Sequence, residues 1–403
     1  MKIEIAHIPN TYNYGSLMMA INLIKSLSNR YENQNIEFYV DCSTNKDLER
    51  LKSETLCNNI YVKKKSIDKR KNKIFRLINF VKKIDKEYSD KKAIIIVGGD
   101  DISEYYGKRG LIKELLKLYF ISKKVPVFLV GQTVGPFSIY TKELAKIVLN
   151  RVNLYTRDFD CLNYVRSIGV KDIFESRDLA FLELPLQNNS EITSSILNKY
   201  DIKDKSYIVI VPSGLTKLYT KNEDNYIDNQ VNIVKSVLEN KKLKLDKVVL
   251  LPHVLIPKEV DDRIIIGEIM KRIDDKYKDK IIPIYDELLS SEARIILGNS
   301  LFSITGRMHA AVSTYQMGRP SLALSYSVKY KGVLGSGLGM NDLIIEADND
   351  AVWQNNEIVD QVNNKINHII DNYNQLVVNI KDKLPEVKQM ISLQMDDITN
   401  KLN

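Results

Sequence analysis

Residues 305–331 hold the densest set of side chains in this chain that could do chemistry. Arg307 offers a rigid fork of N–H donors suited to a carboxylate or a phosphate. Two positions on, His309 is the residue type best able to exchange a proton near neutral pH. A short apolar run, Leu301 to Ile304, ends in Thr305-Gly306. Arg307-Met308-His309 then opens a helix-like stretch, Gly318 to Pro320 break it, and a second apolar run, Ser321 to Ser325, leads to Tyr326 and Lys329. That order predicts strand, tight turn, helix N-terminus, strand. A helix N-terminus presents free backbone N–H groups and a partial positive charge, so it favours an anion. The pattern therefore reads as an anion site with an acid/base group beside it. A helix-capping, core-facing histidine is the competing reading of His309. The gathering of Arg307, Tyr326 and Lys329 at two adjacent strand ends outweighs it.

Such a site needs a sheet to carry it. Buried strands are expected at Lys2 to His7, Ile36 to Val40, Ala93 to Val97, Val125 to Val130 and Asn153 to Thr156. A second series is expected at Tyr207 to Val211, Lys247 to Leu251, Ile281 to Ile284, Leu301 to Ile304 and Ser321 to Ser325. Apolar strands alternating with amphipathic helices argue an α/β fold with parallel sheets. The expected architecture is two Rossmann-like domains facing across a cleft. The first spans 1–184 and the second 205–349, with a polar junction between them. A helical tail, 350–403, is expected to pack back on the first domain.

Ligands of parallel sheets bind at the carboxyl ends of the strands, and four loops there carry polar residues. Asn13-Tyr14-Gly15-Ser16 follows the first strand: either a substrate-facing loop whose Ser16 caps the next helix, or an ordinary capped turn. Gly98-Gly99-Asp100-Asp101 reads as a hydroxyl or metal site or as an Asp-capped turn. Gly131-Gln132-Thr133-Val134-Gly135-Pro136 reads as a shaped loop aimed into the cleft. Arg157-Asp158 reads as an anion clamp or as a surface Arg beside a helix cap, and the residues alone favour the latter.

The 403 residues are 44% hydrophobic and 27% charged, a globular composition. No apolar run approaches a bilayer span, the first residues lack a signal peptide's apolar core, and the three scattered cysteines suit a reducing cytosol. None of the four histidines is spaced as a ligand pair, so a structural zinc site is not expected. The net charge of +8 is concentrated. Residues 61–92 hold thirteen Lys/Arg against four Asp/Glu, a net of +9. Apolar positions from Ile67 to Ile84 make 63–88 a basic amphipathic helix: a surface helix with a solvated face, or one lying on an anionic membrane. Nucleic-acid binding is disfavoured, because few aromatic residues are interleaved there.

Taken together, Asn13-Tyr14-Gly15-Ser16, Gly98-Gly99, the Gly131 to Pro136 loop, Tyr155-Thr156-Arg157-Asp158, Gly306-Arg307-Met308-His309-Ala310, Gly318-Arg319-Pro320 and Tyr326 to Lys329 resemble the polysaccharide pyruvyl transferase family. The resemblance implies a glycosyltransferase B-like architecture. It also implies transfer of pyruvate from phosphoenolpyruvate to two sugar hydroxyls as a ketal, in capsule, exopolysaccharide or cell-wall polymer assembly. Arg307 and His309 would contact phosphoenolpyruvate, with His309 the catalytic residue and Arg157, Lys329 and Tyr326 further ligands. Asn13, Gly15, Ser16, Asp100, Gly131, Gln132 and Gly135 would line the substrate cleft. Phosphoenolpyruvate would be a co-substrate and no cofactor is implied. The acceptor is expected to be a lipid-diphosphate-linked sugar, met at the cytoplasmic membrane face. Two residues depart from the family pattern: Asp100 stands where many members have a third glycine, and Ser16 where many have an acid. A nucleotide-sugar glycosyltransferase of the same architecture, and a non-catalytic basic surface binder, are the competing functions.

Overall fold

A computed structural model describes residues 1–63, 84, 87–105 and 107–403. The expected basic helix over 63–88 therefore lies almost wholly outside the described residues. The chain folds into two compact units. The first comprises Met1–Thr11, Met19–Leu179 and Lys388–Asn403; the second comprises Tyr12–Met18 and Ala180–Val387.

The first unit holds a seven-stranded parallel sheet. Its strands are β1 (Lys2–Ala6), β2 (Glu37–Val40), β3 (Ile60–Val62), β4 (Ala93–Val97), β5 (Val127–Gln132), β6 (Asn153–Thr156) and β7 (Ile173–Glu175), in the spatial order β3-β2-β1-β4-β5-β6-β7. Every residue of β4 and β5 is buried, because helices cover both faces of a parallel sheet. The helices Lys108–Ile121 and Ile139–Leu149 pack side by side. Leu111, Leu115, Leu118, Ala145, Val148 and Leu149 join Ile94, Ile96, Val127 and Leu129 in one core.

The second unit repeats the plan with β8 (Tyr207–Val211), β9 (Lys247–Leu250), β10 (Ile281–Pro283), β11 (Ser303–Thr305), β12 (Ser321–Ser325) and β13 (Ile344–Glu346), ordered β10-β9-β8-β11-β12-β13 and all parallel. Strand order reverses between β1 and β4 in the first sheet and between β8 and β11 in the second. These reversals are the places where open α/β sheets leave a crevice for ligands. Each unit is thus Rossmann-like, the fold class read from the sequence.

Several boundaries differ from the sequence reading. The first helix begins at Tyr14, so Tyr14, Gly15 and Ser16 form its first turn rather than a loop. Asn13, not Ser16, serves the helix start: its side-chain oxygen accepts from the Ser16 N–H at 3.4 Å. Residues Tyr12–Met18 belong to the second unit, since Asn13 bridges Val254, Tyr14 N donates to the His253 carbonyl at 3.1 Å, and Leu255 N donates to that of Tyr12 at 2.9 Å. The supposed junction is part of the second unit as well. Its helix Ser190–Lys199 sends Ile196 into that unit's core. The fully buried Arg294 donates to Gln187 Oε1 at 3.0 Å, tying the segment down, and to the carbonyls of Ala180 (2.6 Å) and Leu182 (2.8 Å) just before it.

The tail also divides. The helix Glu357–Asp371 packs on Glu223–Glu239 in the second unit, and only Lys388–Asn403 joins the first. There Tyr155 Oη donates to Asp397 Oδ2 at 2.5 Å.

Candidate anion and acid/base site

The turn after β11 is fixed from within. The Thr305 hydroxyl donates to the Arg307 carbonyl at 2.9 Å and accepts from the Arg307 N–H at 2.8 Å. Two buried tyrosines, Tyr219 and Tyr330, donate their hydroxyls to the Gly306 carbonyl at 2.6 and 2.7 Å. A β-carbon at position 306 would stand 2.9 Å from Tyr219 Oη and 3.1 Å from Ser213 Cβ, so a larger residue would displace that clamp. Arg307 is the residue before the helix Met308–Gln316, whose first turn has no side-chain cap. The expected strand, turn and helix N-terminus are all present.

Arg307 is buried and held by a partner that sequence reading missed. Its Nε donates to Asp262 Oδ1 at 3.1 Å and its Nη2 to the same oxygen at 2.6 Å and to the Val260 carbonyl at 2.9 Å. Asp262 has no exposed surface. It also accepts the N–H groups of Gly214 (2.8 Å), His253 (3.0 Å) and Val254 (2.9 Å). Burial works against the guanidinium charge, but Asp262 outweighs it and holds Arg307 above its ordinary value. Nη1 makes no hydrogen bond among the described residues. Arg307 therefore presents one pre-oriented edge rather than a whole fork, and much of its charge is already matched. Nothing in the sequence marks Asp262: it follows Asp261, which accepts the Arg263 N–H at 2.9 Å, and looks like an ordinary acid of a helix first turn.

His309 is half-buried on the same helix. Its imidazole lies against the backbone of Gly15, where an added β-carbon would stand 2.3 Å from Nδ1. The Asn13-Tyr14-Gly15-Ser16 segment is thus the wall on which His309 rests. We expect Gly15→Ala to push the ring aside and lower turnover about a hundredfold with the fold retained. Steady-state rates beside circular dichroism check this. His253 stands behind: burial first, then the charges of His309, Arg307 and Arg294, push its imidazole well below the ordinary range, so it is neutral. The edge of Tyr14 packs on it, ring centroids 5.5 Å apart.

Tyr326 and Lys329 follow β12, as expected. Lys329 Nζ donates to Tyr326 Oη at 2.8 Å and sits 4.6 Å above that ring. Tyr326 packs edge-on against Tyr219 and Tyr330, the two tyrosines that clamp Gly306. Arg307, His309, Tyr326, Lys329, Asn13, Gly15 and Ser16 are thus all carried by the second unit.

The remaining predicted residues are built in the first unit. Arg157 is buried, and not a surface residue. Its Nη1 pairs with buried Asp178 at 3.1 Å and its Nε donates to Thr133 Oγ1 at 2.8 Å. Asp158 caps the following helix by accepting the Cys161 N–H at 2.7 Å. Gly131 and Gln132 belong to β5 rather than to a loop: the strand bulges between Val130 and Gln132, with Gly131 at φ 68°. The Gln132 side chain is buried. Gly135 is also left-handed, and a β-carbon there would meet the Tyr164 ring at 2.2 Å. Asp100 is part-exposed, and its backbone carbonyl accepts the Ser103 hydroxyl at 2.6 Å. His7, read as a strand residue, lies just past β1 at φ 71°, with Nδ1 3.4 Å from Asp101 Oδ2. Among the described residues no group of three or more His, Cys, Asp or Glu side chains could hold a metal ion.

A family model for polysaccharide pyruvyl transferase matches residues 13–328. Amylovoran biosynthesis protein AmsJ of Erwinia amylovora is 25% identical over 264 residues, which are 62% of this chain and 61% of that protein. The match thus spans less than two thirds of this curated relative. Among solved structures, the UDP-GlcNAc 2-epimerase of Neisseria meningitidis aligns with a TM-score of 0.65 at 10% identity, covering 100% of this chain and 99% of that one. The corresponding enzyme of Methanocaldococcus jannaschii gives 0.56 at 16% identity over 88% and 91%. At such identities the likeness is one of fold, a glycosyltransferase B-like fold with two Rossmann-like domains.

Proposed function

Because the chain belongs to the polysaccharide pyruvyl transferase family, we propose that it transfers the pyruvate of phosphoenolpyruvate to two hydroxyls of a sugar as a ketal during polymer assembly. The observation that carries this reading is the pair Arg307 and His309 beside the switch point of the second sheet, one locked by Asp262 and the other seated on Gly15.

The donor brings a carboxylate and a phosphate, so it needs fixed cationic edges and a proton source. Arg307 Nη1, Lys329 and the uncapped first turn after Arg307 would bind the anions, with Tyr326 steering Lys329. His309 would protonate the donor methylene while a sugar hydroxyl attacks the adjacent carbon. Phosphate then leaves and the second hydroxyl closes the ring. Of the two hydroxyl protons, one restores His309 and the other departs with phosphate. Arg157 would act indirectly, holding Thr133 in the loop after β5.

The acceptor we infer is a lipid-diphosphate-linked sugar met at the cytoplasmic membrane face. No helix among the described residues is long and apolar enough to cross a membrane, so such an acceptor would be reached from the surface. The test is thermal stabilisation by phosphoenolpyruvate, beside UDP-sugars, on wild type and Lys329→Ala. A ligand that binds the folded state raises the melting temperature. A rise with phosphoenolpyruvate alone, reduced in the variant, is the expected result. A rise with a UDP-sugar alone would make this a glycosyltransferase instead.

A further inference from the structure

The first unit carries a basic surface that the proposed chemistry does not use. Large hydrophobic side chains usually reach solvent singly, yet several stand together here: Tyr140 is 90% exposed, Ile139 75%, Ile147 56% and Tyr105 54%. They lie on two segments that are fastened to each other. Glu104, next to Tyr105, accepts the backbone N–H of Ser138 at 2.7 Å, the Ser138 hydroxyl at 2.8 Å, and the hydroxyl of Thr141. The Thr141 and Ser138 hydrogen bonds hold the Glu104 carboxyl down at about 2, so the latch stays ionised at neutral pH. On the adjoining helix, Lys108, Arg109, Ile112 and Lys113 are all exposed. Between residues 104 and 151 the chain carries nine Lys/Arg and three Asp/Glu, a net of +6. The basic excess therefore extends beyond 61–92.

Apolar tips set among cations suit one kind of partner. Aliphatic and aromatic side chains can enter a headgroup layer while Lys and Arg pair with anionic lipids. A single-stranded nucleic acid would need stacked aromatic planes in a groove, whereas Ile139 and Ile147 are aliphatic and lie on the outer face of a helix. Both helices leave the carboxyl ends of their strands, β4 and β5, the edge at which such sheets bind ligands.

We propose that the face formed by Tyr105, Ile112, Ile139, Tyr140 and Ile147, with Lys108, Arg109 and Lys113, docks on an anionic membrane surface. This deepens the proposed function, since it rests on the acceptor being lipid-linked. The test is co-sedimentation of the full chain with phosphatidylcholine vesicles, with and without phosphatidylglycerol. Wild type should bind only the anionic vesicles and release in salt. Ile139→Ser/Tyr140→Ser should lower the bound fraction at least about tenfold while phosphoenolpyruvate still raises its melting temperature. Charge reversal at Lys69, Arg70 and Lys73 should leave binding through this face in place.

Equal binding by wild type and the Ile139/Tyr140 variant, or no binding by wild type, would overturn the proposal whatever phosphoenolpyruvate does. Self-association that depends on Ile139 and Tyr140, without vesicle binding, would overturn it in favour of a protein interface. Vesicle binding lost in the variant, with no phosphoenolpyruvate response in wild type, would uphold the surface and remove the donor assignment alone.

Discussion

His309→Ala is expected to abolish phosphoenolpyruvate-dependent transfer and leave a folded protein. A positioned acid contributes on the order of 10²–10⁴ in rate. His253, which stands behind it, is buried and its imidazole is pushed well below the ordinary range, so it cannot take over as the acid. The stability cost should be small, about 1 kcal/mol, because the ring is half-buried and rests on Gly15 rather than in the core. Phosphate release from phosphoenolpyruvate with a lipid-linked oligosaccharide extract, read beside the melting temperature, separates the two effects. Near-wild-type release would remove His309 from the chemistry. A misfolded variant would instead show that the ring is structural.

The largest effect on stability is expected at a residue that touches no substrate. Asp262→Ala removes the carboxylate matched to buried Arg307 and unpairs the N–H groups of Gly214, His253 and Val254. Breaking a buried ion pair from one side costs roughly 3–5 kcal/mol. For a domain of this size that lowers the melting temperature on the order of 10 °C. Asp262→Ala/Arg307→Ala should lose less than the sum of the single changes, since the pair is coupled. Calorimetry of the four proteins checks this. Strict additivity would mean that Asp262 and Arg307 act independently. Arg307→Lys should not substitute, because a lysine cannot span Asp262 and still present a second donor edge.

These two residues show where sequence reading reaches and where it stops. Arg307 and His309 were legible because their types, the Thr305-Gly306 turn before them and the apolar runs on either side all pointed to one local geometry. Asp262 was not, because its meaning lies 45 residues away in the chain. The same contrast holds for the fold. Ala93–Val97, Asn153–Thr156, Tyr207–Val211 and Ser321–Ser325 match their expected bounds, being compact buried runs. The three-residue strands Ile60–Val62, Ile173–Glu175 and Ile344–Glu346 were missed, since three residues carry no readable alternation. That Tyr12–Met18 belongs to the second unit depends on bonds to His253–Leu255, which no local pattern could reveal. Arg157 looked like a surface residue because its partner Asp178 is brought to it only by the sheet.

Transfer of pyruvate from phosphoenolpyruvate to a sugar as a ketal is the reaction proposed for this chain. Its most direct test supplies carbon-labelled phosphoenolpyruvate to the full chain with a lipid-linked oligosaccharide extract, then identifies the labelled product by mass spectrometry and mild acid hydrolysis. Acid-labile label on a sugar, released as pyruvate and absent with His309→Ala, is the predicted result. Label left wholly in phosphoenolpyruvate, while the same extract accepts a sugar from a nucleotide donor, would contradict it.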